Sequence, residues 1–237
     1  MRFLMREMEY ETPVASGNLR FERNGEATGL VEAWKFTKAL DGYSFLRIDV
    51  DSNSPYNQEI TLVHVLLNRH MTIERLKFRF FGTQFDVDGD VQFDRNLMTL
   101  NRLISDKDKN TKKRLVEEFP FDPYTVFIFP TIANLALITL AIPEDGQRAY
   151  VMLDKDGHFS SQFGNAQIKW GEEEDREISR RKVAVRPCSI SWDTGQARLW
   201  LDELNWPVRA SLSDDVLAAE VAYWRYQQAP EPGDRLR

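Results

Sequence analysis

The chain has 237 residues, 42% of them hydrophobic and 29% charged, a composition typical of a soluble globular protein. Its 37 acidic and 31 basic residues give a formal net charge of −6, which argues against a nucleic-acid partner. The single cysteine, Cys188, excludes an internal disulfide and a cysteine-rich zinc module. From the length we expect one β-rich domain over residues 1–229, followed by a polar tail at 230–237.

The first residues of the chain favour a cytoplasmic location. Residues 1–9 read MRFLMREME, so charge interrupts the apolar run before it reaches the length of a signal-peptide core. A lone cysteine that cannot form an internal disulfide fits the same compartment.

Alternation of apolar and polar residues predicts β-strands along most of the chain. Leu46, Ile48 and Val50 should face inward, with Arg47 and Asp49 on the opposite face. In the same way Leu76, Phe78 and Phe80 should face inward, with Lys77 and Arg79 outward. The strands that we predict with the clearest pattern lie near 30–40, 45–51, 60–67, 73–81 and 197–201.

Short glycine-containing turn signals separate the apolar runs. Such dipeptides favour hairpins, and five of them occur, at residues 24–25, 41–42, 88–89, 156–157 and 194–195. They predict a mainly β fold of about ten or eleven strands. The fold class that we expect is a large antiparallel meander forming a half-open or closed barrel, which is either LolA/LolB-like or lipocalin-like.

The centre of the chain departs from this pattern. Residues 106–118 are highly charged without strand alternation, so we expect a surface loop that leads into a helix from Thr111 and serves as a mobile hinge. Residues 119–142 should form an apolar lid or plug. Within it 131–141 is predicted as a helix, although a strand is the competing interpretation because Ile138, Leu140 and Ile142 alternate. Pro130 and Asn134 interrupt the segment, which favours a buried helix over a transmembrane span.

Motifs for known chemistry are sparse. The three histidines are scattered, so we predict no metal site, no cofactor and no catalytic residue. The sequences DVDGD at 86–90 and DKDG at 154–157 lack the closing glutamate of a calcium loop, and we interpret both as turns. Glu32 and Glu74 share the parity of apolar neighbours, and an inward carboxylate among aromatic residues would suggest a function.

Two stretches resemble a known bacterial family. The first is GNLRF at 17–21, followed by Trp34 and DGY at 41–43; the second is RLWLD at 198–202, followed by NWPVR at 205–209. Both resemble hairpins of LolA/LolB-like half-barrel lipid or lipoprotein carriers and of related uncharacterised bacterial families. The resemblance implies a concave sheet that grips acyl chains without covalent chemistry, with the apolar residues 127–142 in the place of the lid helices.

We therefore predict non-enzymatic binding or carrying of a lipid-like, apolar or amphipathic small molecule in a β-barrel cavity. The alternatives are an enzyme acting on a small hydrophobic substrate in the same cavity, a structural protein whose aromatic residues simply fill the core, and an interaction module in which exposed Phe and Trp residues form a surface patch. The basic residues at 107–114 suggest transient contact with a membrane surface. The residues expected to bind the ligand are Trp34, Phe36, Leu76, Phe78, Phe80, Phe127, Ile132 and Leu135.

Overall fold

The structure of the protein is a computed structural model that describes residues 8–52, 59–122, 124–142, 144–178, 181–212, 215–221 and 224–225. Strands dominate these ranges, and the predicted mainly β architecture is confirmed. The five strands predicted with the clearest pattern are all present, two of them with the predicted bounds, Ile60–Leu67 and Ile73–Phe81. The predicted tail at 230–237 lies outside the described residues.

The first half of the chain is an antiparallel meander in which each strand pairs with the next. Its strands are β1 (Glu11–Arg23), β2 (Glu26–Ala39), β3 (Ser44–Ser52), β4 (Ile60–Leu67), β5 (Ile73–Phe81), β6 (Phe85–Asp94), β7 (Leu97–Asp106) and β8 (Thr111–Pro120).

The second half begins with a short strand and a helix and then returns to antiparallel pairing. Its elements are β9 (Val126–Ile128), α1 (Ile132–Ala141), β10 (Gly146–Asp154), β11 (Ser160–Trp170), β12 (Glu174–Ile178), β13 (Arg181–Trp192), β14 (Gly195–Leu201), β15 (Pro207–Ser211), β16 (Val216–Glu220) and β17 (Trp224–Arg225). Strand β10 pairs with β9 in parallel and with β11 in antiparallel fashion. Strands β16 and β17 both pair with β1 and so join the two halves.

The pairings place β8 and β9 at the two ends of one large sheet. From β8 the order descends to β1 and continues through β16, β15, β14, β13, β11 and β10 to β9. Among the described residues β8 and β9 are not paired with each other, so the barrel is not closed. Phe119 of β8 nevertheless packs edge-on against Phe163 of β11, with ring centroids 5.1 Å apart.

The charged stretch at 106–118 is an edge strand, and the expected loop, helix start and hinge are wrong. Strand β7 ends at Asp106, a turn follows, and β8 begins at Thr111. An edge strand has one neighbour, and charged side chains protect its free edge from pairing with other chains. Lys112, Lys113 and Arg114 are all exposed here, and such side chains hide the alternation that marks a half-buried strand.

One of the five predicted turns is also wrong. Asp88 and Gly89 lie inside β6, whereas the other four pairs lie at or beside a turn. A Cβ atom on Gly89 would come within 2.0 Å of Cε1 of Phe78 on the neighbouring strand. The glycine therefore leaves space for an aromatic ring. Glycine also serves this purpose within strands, and in the sequence such an Asp-Gly pair cannot be distinguished from a turn dipeptide.

The side chains predicted to face inward form the core. Leu46, Ile48, Leu76, Phe78 and Phe80 are each at most 2% exposed, and Val50 is half-buried. Lys77 and Arg79 are exposed on the outer face, and Asp49 is half-buried. Arg47 also lies outside the apolar core but is buried, because its guanidinium pairs with Glu11 at 2.6 Å.

Helix α1 lies within the apolar core enclosed by the sheet. The competing interpretations for 124–142 resolve into a short strand, β9, followed by the helix. Residues 131–139 are all buried, as expected of a helix that is apolar on every side. The apolar residues among them belong to the same core cluster as Trp34, Phe36 and Phe78. The described part of the chain contains no helix with the length and hydrophobicity of a membrane-spanning segment.

Candidate functional site

A glutamate from the sheet holds the first residues of α1. The alternation of β2 directs Glu32 inward, and its side chain is 1% exposed. Oε2 of Glu32 accepts a hydrogen bond of 2.9 Å from the backbone N–H of Ile132, and Oε1 accepts one of 2.7 Å from Ala133. The first N–H groups of a helix have no partner within it, and the helix dipole favours negative charge there. The sheet thus supplies the cap of the helix.

Burial changes the acidity of this carboxyl group. It raises the pKa of Glu32 from 4.5 to about 7, although the hydrogen bonds from Ala133 and Ile132 act in the opposite direction. The charged and neutral forms of Glu32 are therefore both accessible near neutral pH. Of the two glutamates that share the parity of their apolar neighbours, Glu32 points inward, whereas Glu74 is only half-buried.

Thr131, the residue before the helix, contributes a second polar group. It has extended backbone angles, φ −135° and ψ 147°, and its side chain makes no capping hydrogen bond. The residue is 4% exposed, and its Oγ1 atom has no hydrogen-bond partner among the described residues. A buried hydroxyl without a partner is costly, roughly 1–3 kcal/mol. This hydroxyl is thus available to a bound molecule.

Glu32 and Thr131 line a cavity of about 280 Å³ between the start of α1 and the sheet. Pro130 and Gln196 are exposed members of the lining, so the cavity opens to solvent. Among the described lining residues, Glu32 is the only one with an ionisable side chain. Most of the wall is apolar and comes from several strands, including Phe21, Leu30, Val50, Ile128, Trp192 and Leu212.

Of the eight residues predicted to bind a ligand, Ile132 and Leu135 line this cavity. The other six are in the packed core, each at most 4% exposed: Trp34, Phe36, Leu76, Phe78, Phe80 and Phe127. Aromatic partners that the sequence analysis did not single out account for much of this packing. Trp206 stacks on Trp34 with ring centroids 4.9 Å apart, and the ring centroids of Phe159 and Phe78 are 4.7 Å apart.

Other groups with chemical potential are not placed for reaction. Cys188 is fully buried, and burial raises the pKa of its thiol to about 12. In the described part of the chain, no three His, Cys, Asp or Glu side chains come together as metal ligands. His64 lies exposed on the outer face of β4.

Comparisons with known proteins yield one similar structure. No protein-family model matches the chain, and no curated protein is significantly similar to it. The similar structure is described as "Crystal Structure of Beta-barrel-like Protein of Domain of Unknown Function DUF1849 from Brucella abortus". It is 13% identical, with a TM-score of 0.49, and the match covers 91% of this chain and 98% of that chain. The resemblance to LolA/LolB-like carriers stays a prediction.

Proposed function

We propose that the protein binds a small amphipathic molecule, without chemical change, in the cavity at the start of α1. The observation that carries the proposal is the cavity itself, a mainly apolar space of about 280 Å³ lined by Glu32 and by Thr131, whose hydroxyl has no partner among the described residues. Ligand pockets usually measure about 300–1,000 Å³, so this one lies just below that range and suits a small molecule with a short aliphatic chain.

The ligand enters through the solvent opening while α1 stays in place. Burying an aliphatic side chain contributes about 1.5–3 kcal/mol, so exposing four of them would cost about 6–12 kcal/mol. That range is comparable with the whole stability of a typical domain, about 5–15 kcal/mol. The buried helical side chains that this sum counts are Ile132, Leu135, Leu137 and Ile138.

Binding without catalysis is what the geometry supports best. The enzyme alternative needs a titratable group with a shifted pKa in the cavity, and Glu32 meets that requirement. No second ionisable side chain, however, lines the cavity among the described residues. An acid–base pair is therefore not formed.

The proposal is tested by titrating the protein with 1-octanol in a calorimeter. This probe is uncharged and has a short aliphatic chain, so its binding does not depend on a charged head group. A Leu30→Trp variant should fill the cavity and abolish the binding heat, whereas Val116→Trp, at a 58% exposed position on β8, should leave it unchanged. Absence of binding, or equal binding by both variants, would contradict the proposal.

The remaining expectations stay predictions. We propose one domain over residues 1–229, since β16 pairs with β1 and thus joins the late strands to the first. The cytoplasmic location, the bacterial origin and the membrane-surface contact through 107–114 also stay predictions.

A further inference from the structure

We propose that the ligand of this cavity is an aliphatic amine in its protonated form, with its head held between Glu32 and Thr131. The inference rests on the proposed function and adds the chemical class of the ligand. It begins with charge, because Glu32 is the only ionisable side chain among the described residues of the wall. A cation that enters this space meets one carboxylate and no competing lysine, arginine or histidine.

The carboxylate retains the capacity to bind such a head. Each oxygen of Glu32 accepts one backbone hydrogen bond, from Ile132 or Ala133. A carboxylate has about four lone-pair positions, so further acceptor sites remain, and an ammonium group brings three donors. Hydrogen bonds between two charged groups are about twice as strong as those between neutral groups.

Thr131 supplies an independent reason for a hydrogen-bonding head at this point. Thr131 lines the cavity, and its hydroxyl is buried and has no partner among the described residues. Thr131 directly precedes Ile132, whose N–H group is bound to Glu32, so the hydroxyl and the carboxylate lie at the same helix end. An ammonium donating to both oxygens would satisfy the hydroxyl and neutralise the carboxylate.

An anionic head is disfavoured at the same position. A helix start commonly attracts anions, but here the first two helical N–H groups are already bound to Glu32. A ligand carboxylate would place a second negative charge beside Glu32 in an apolar space. A neutral alcohol could accept or donate a hydrogen bond but would leave the charge of Glu32 unpaired. The expected order of affinity is therefore amine, alcohol, carboxylate.

The experiment compares 1-octylamine, 1-octanol and octanoate by calorimetry at pH 7.5. The amine should bind at least about tenfold more tightly than the alcohol, the effect expected of a charge-assisted hydrogen bond. Glu32→Gln should reduce the amine-to-alcohol affinity ratio to about one, and Thr131→Val should reduce it several-fold. Glu74→Gln, which changes a half-buried glutamate outside the cavity lining, should leave the ratio unchanged.

The possible results distinguish a failure of the amine inference from a failure of the proposed function. If the alcohol binds but the amine binds no more tightly, or if octanoate binds best, the amine inference is overturned and the proposed function stands. If none of the three probes binds, the proposed function fails. Circular dichroism shows whether Glu32→Gln folds; if it does not, an unchanged affinity ratio in Thr131→Val overturns the inference.

Discussion

Glu32 and Ala133 are 101 positions apart in the chain and are joined by a buried hydrogen bond of 2.7 Å. Together with the bond to Ile132, it fixes the start of α1 against β2. The helix is apolar and makes no side-chain cap of its own at Thr131, so a sheet residue supplies the cap. The same contact forms the polar end of the cavity, which makes it both a structural joint and the proposed binding site.

Removal of this cap should destabilise the protein. Glu32→Ala leaves two buried N–H groups without a partner, each at roughly 1–3 kcal/mol, so we expect a loss of about 2–6 kcal/mol at pH 5. Chemical denaturation monitored by tryptophan fluorescence measures the change. Glu74→Ala is the matched control, with an expected loss below about 1 kcal/mol. Equal losses in the two variants would show that the cap contributes nothing.

The stability should fall as the pH rises from 4.5 to above 7. The folded pKa of Glu32 is about 7, above its ordinary value of 4.5, so the folded protein binds the proton more tightly than the unfolded chain does. The contribution of this proton to the free energy of unfolding is fully present below pH 4.5 and is lost as the pH rises through 7. The total loss is about 3 kcal/mol. Denaturation midpoints between pH 4.5 and 8 test this, with Glu32→Gln as the comparison. A variant with the same pH slope as the native protein would refute the assignment to Glu32.

Because Phe78 lies so close to Gly89, any side chain at position 89 should destabilise the protein. Gly89→Ala would place a Cβ atom 2.0 Å from the ring, so we expect a loss of about 1–3 kcal/mol from overpacking. Gly146→Ala is the control, because there the nearest side-chain atom is 3.6 Å away. In the double variant Gly89→Ala with Phe78→Leu, the smaller leucine side chain should recover part of the stability that Gly89→Ala removes. Stability losses that simply add would argue against a direct clash.

Arg47 and Glu11 form a buried pair on the outer side of the sheet. Oε1 of Glu11 lies 2.6 Å from the guanidinium, and Thr37 donates a hydrogen bond to Oε2 of the same carboxylate. Burial acts to raise the pKa of Glu11, but its bonds with Arg47 and Thr37 outweigh burial and lower it. Arg47→Met alone should cost about 3–5 kcal/mol, whereas Arg47→Met with Glu11→Leu should be nearly neutral. Similar losses in the single and double variants would contradict this.

Local patterns account for much of the fold. Ile60–Leu67 and Ile73–Phe81 have the predicted bounds because period-two alternation depends on neighbours in the chain alone. Strand β8 was missed because an edge strand with charge on both faces carries no such period. Gly89 was mistaken for a turn residue because its role depends on Phe78, a residue of the neighbouring strand.

The candidate site was accessible to sequence reasoning only in part. The parity of Glu32 with its apolar neighbours signalled an inward carboxylate, and the apolar centre of the chain signalled a buried helix. Their contact spans 100 residues and follows from how the sheet curls, which no local pattern contains. Trp34 and Phe78 were expected to face a ligand, but Trp206 and Phe159 come from distant elements and pack against them.

An amphiphile bound in the cavity with its head at the start of α1 should change the environment of the backbone amides there. Amide chemical shifts, measured while the isotope-labelled protein is titrated with 1-octylamine, detect that change. The amides of Ile132 and Ala133 should shift most, together with those of the lining residues Leu30 and Gln196. Shifts confined to a second groove, of about 510 Å³ and lined by residues that include His64, Lys77 and Asn101, or no shifts at all, would contradict binding in the cavity.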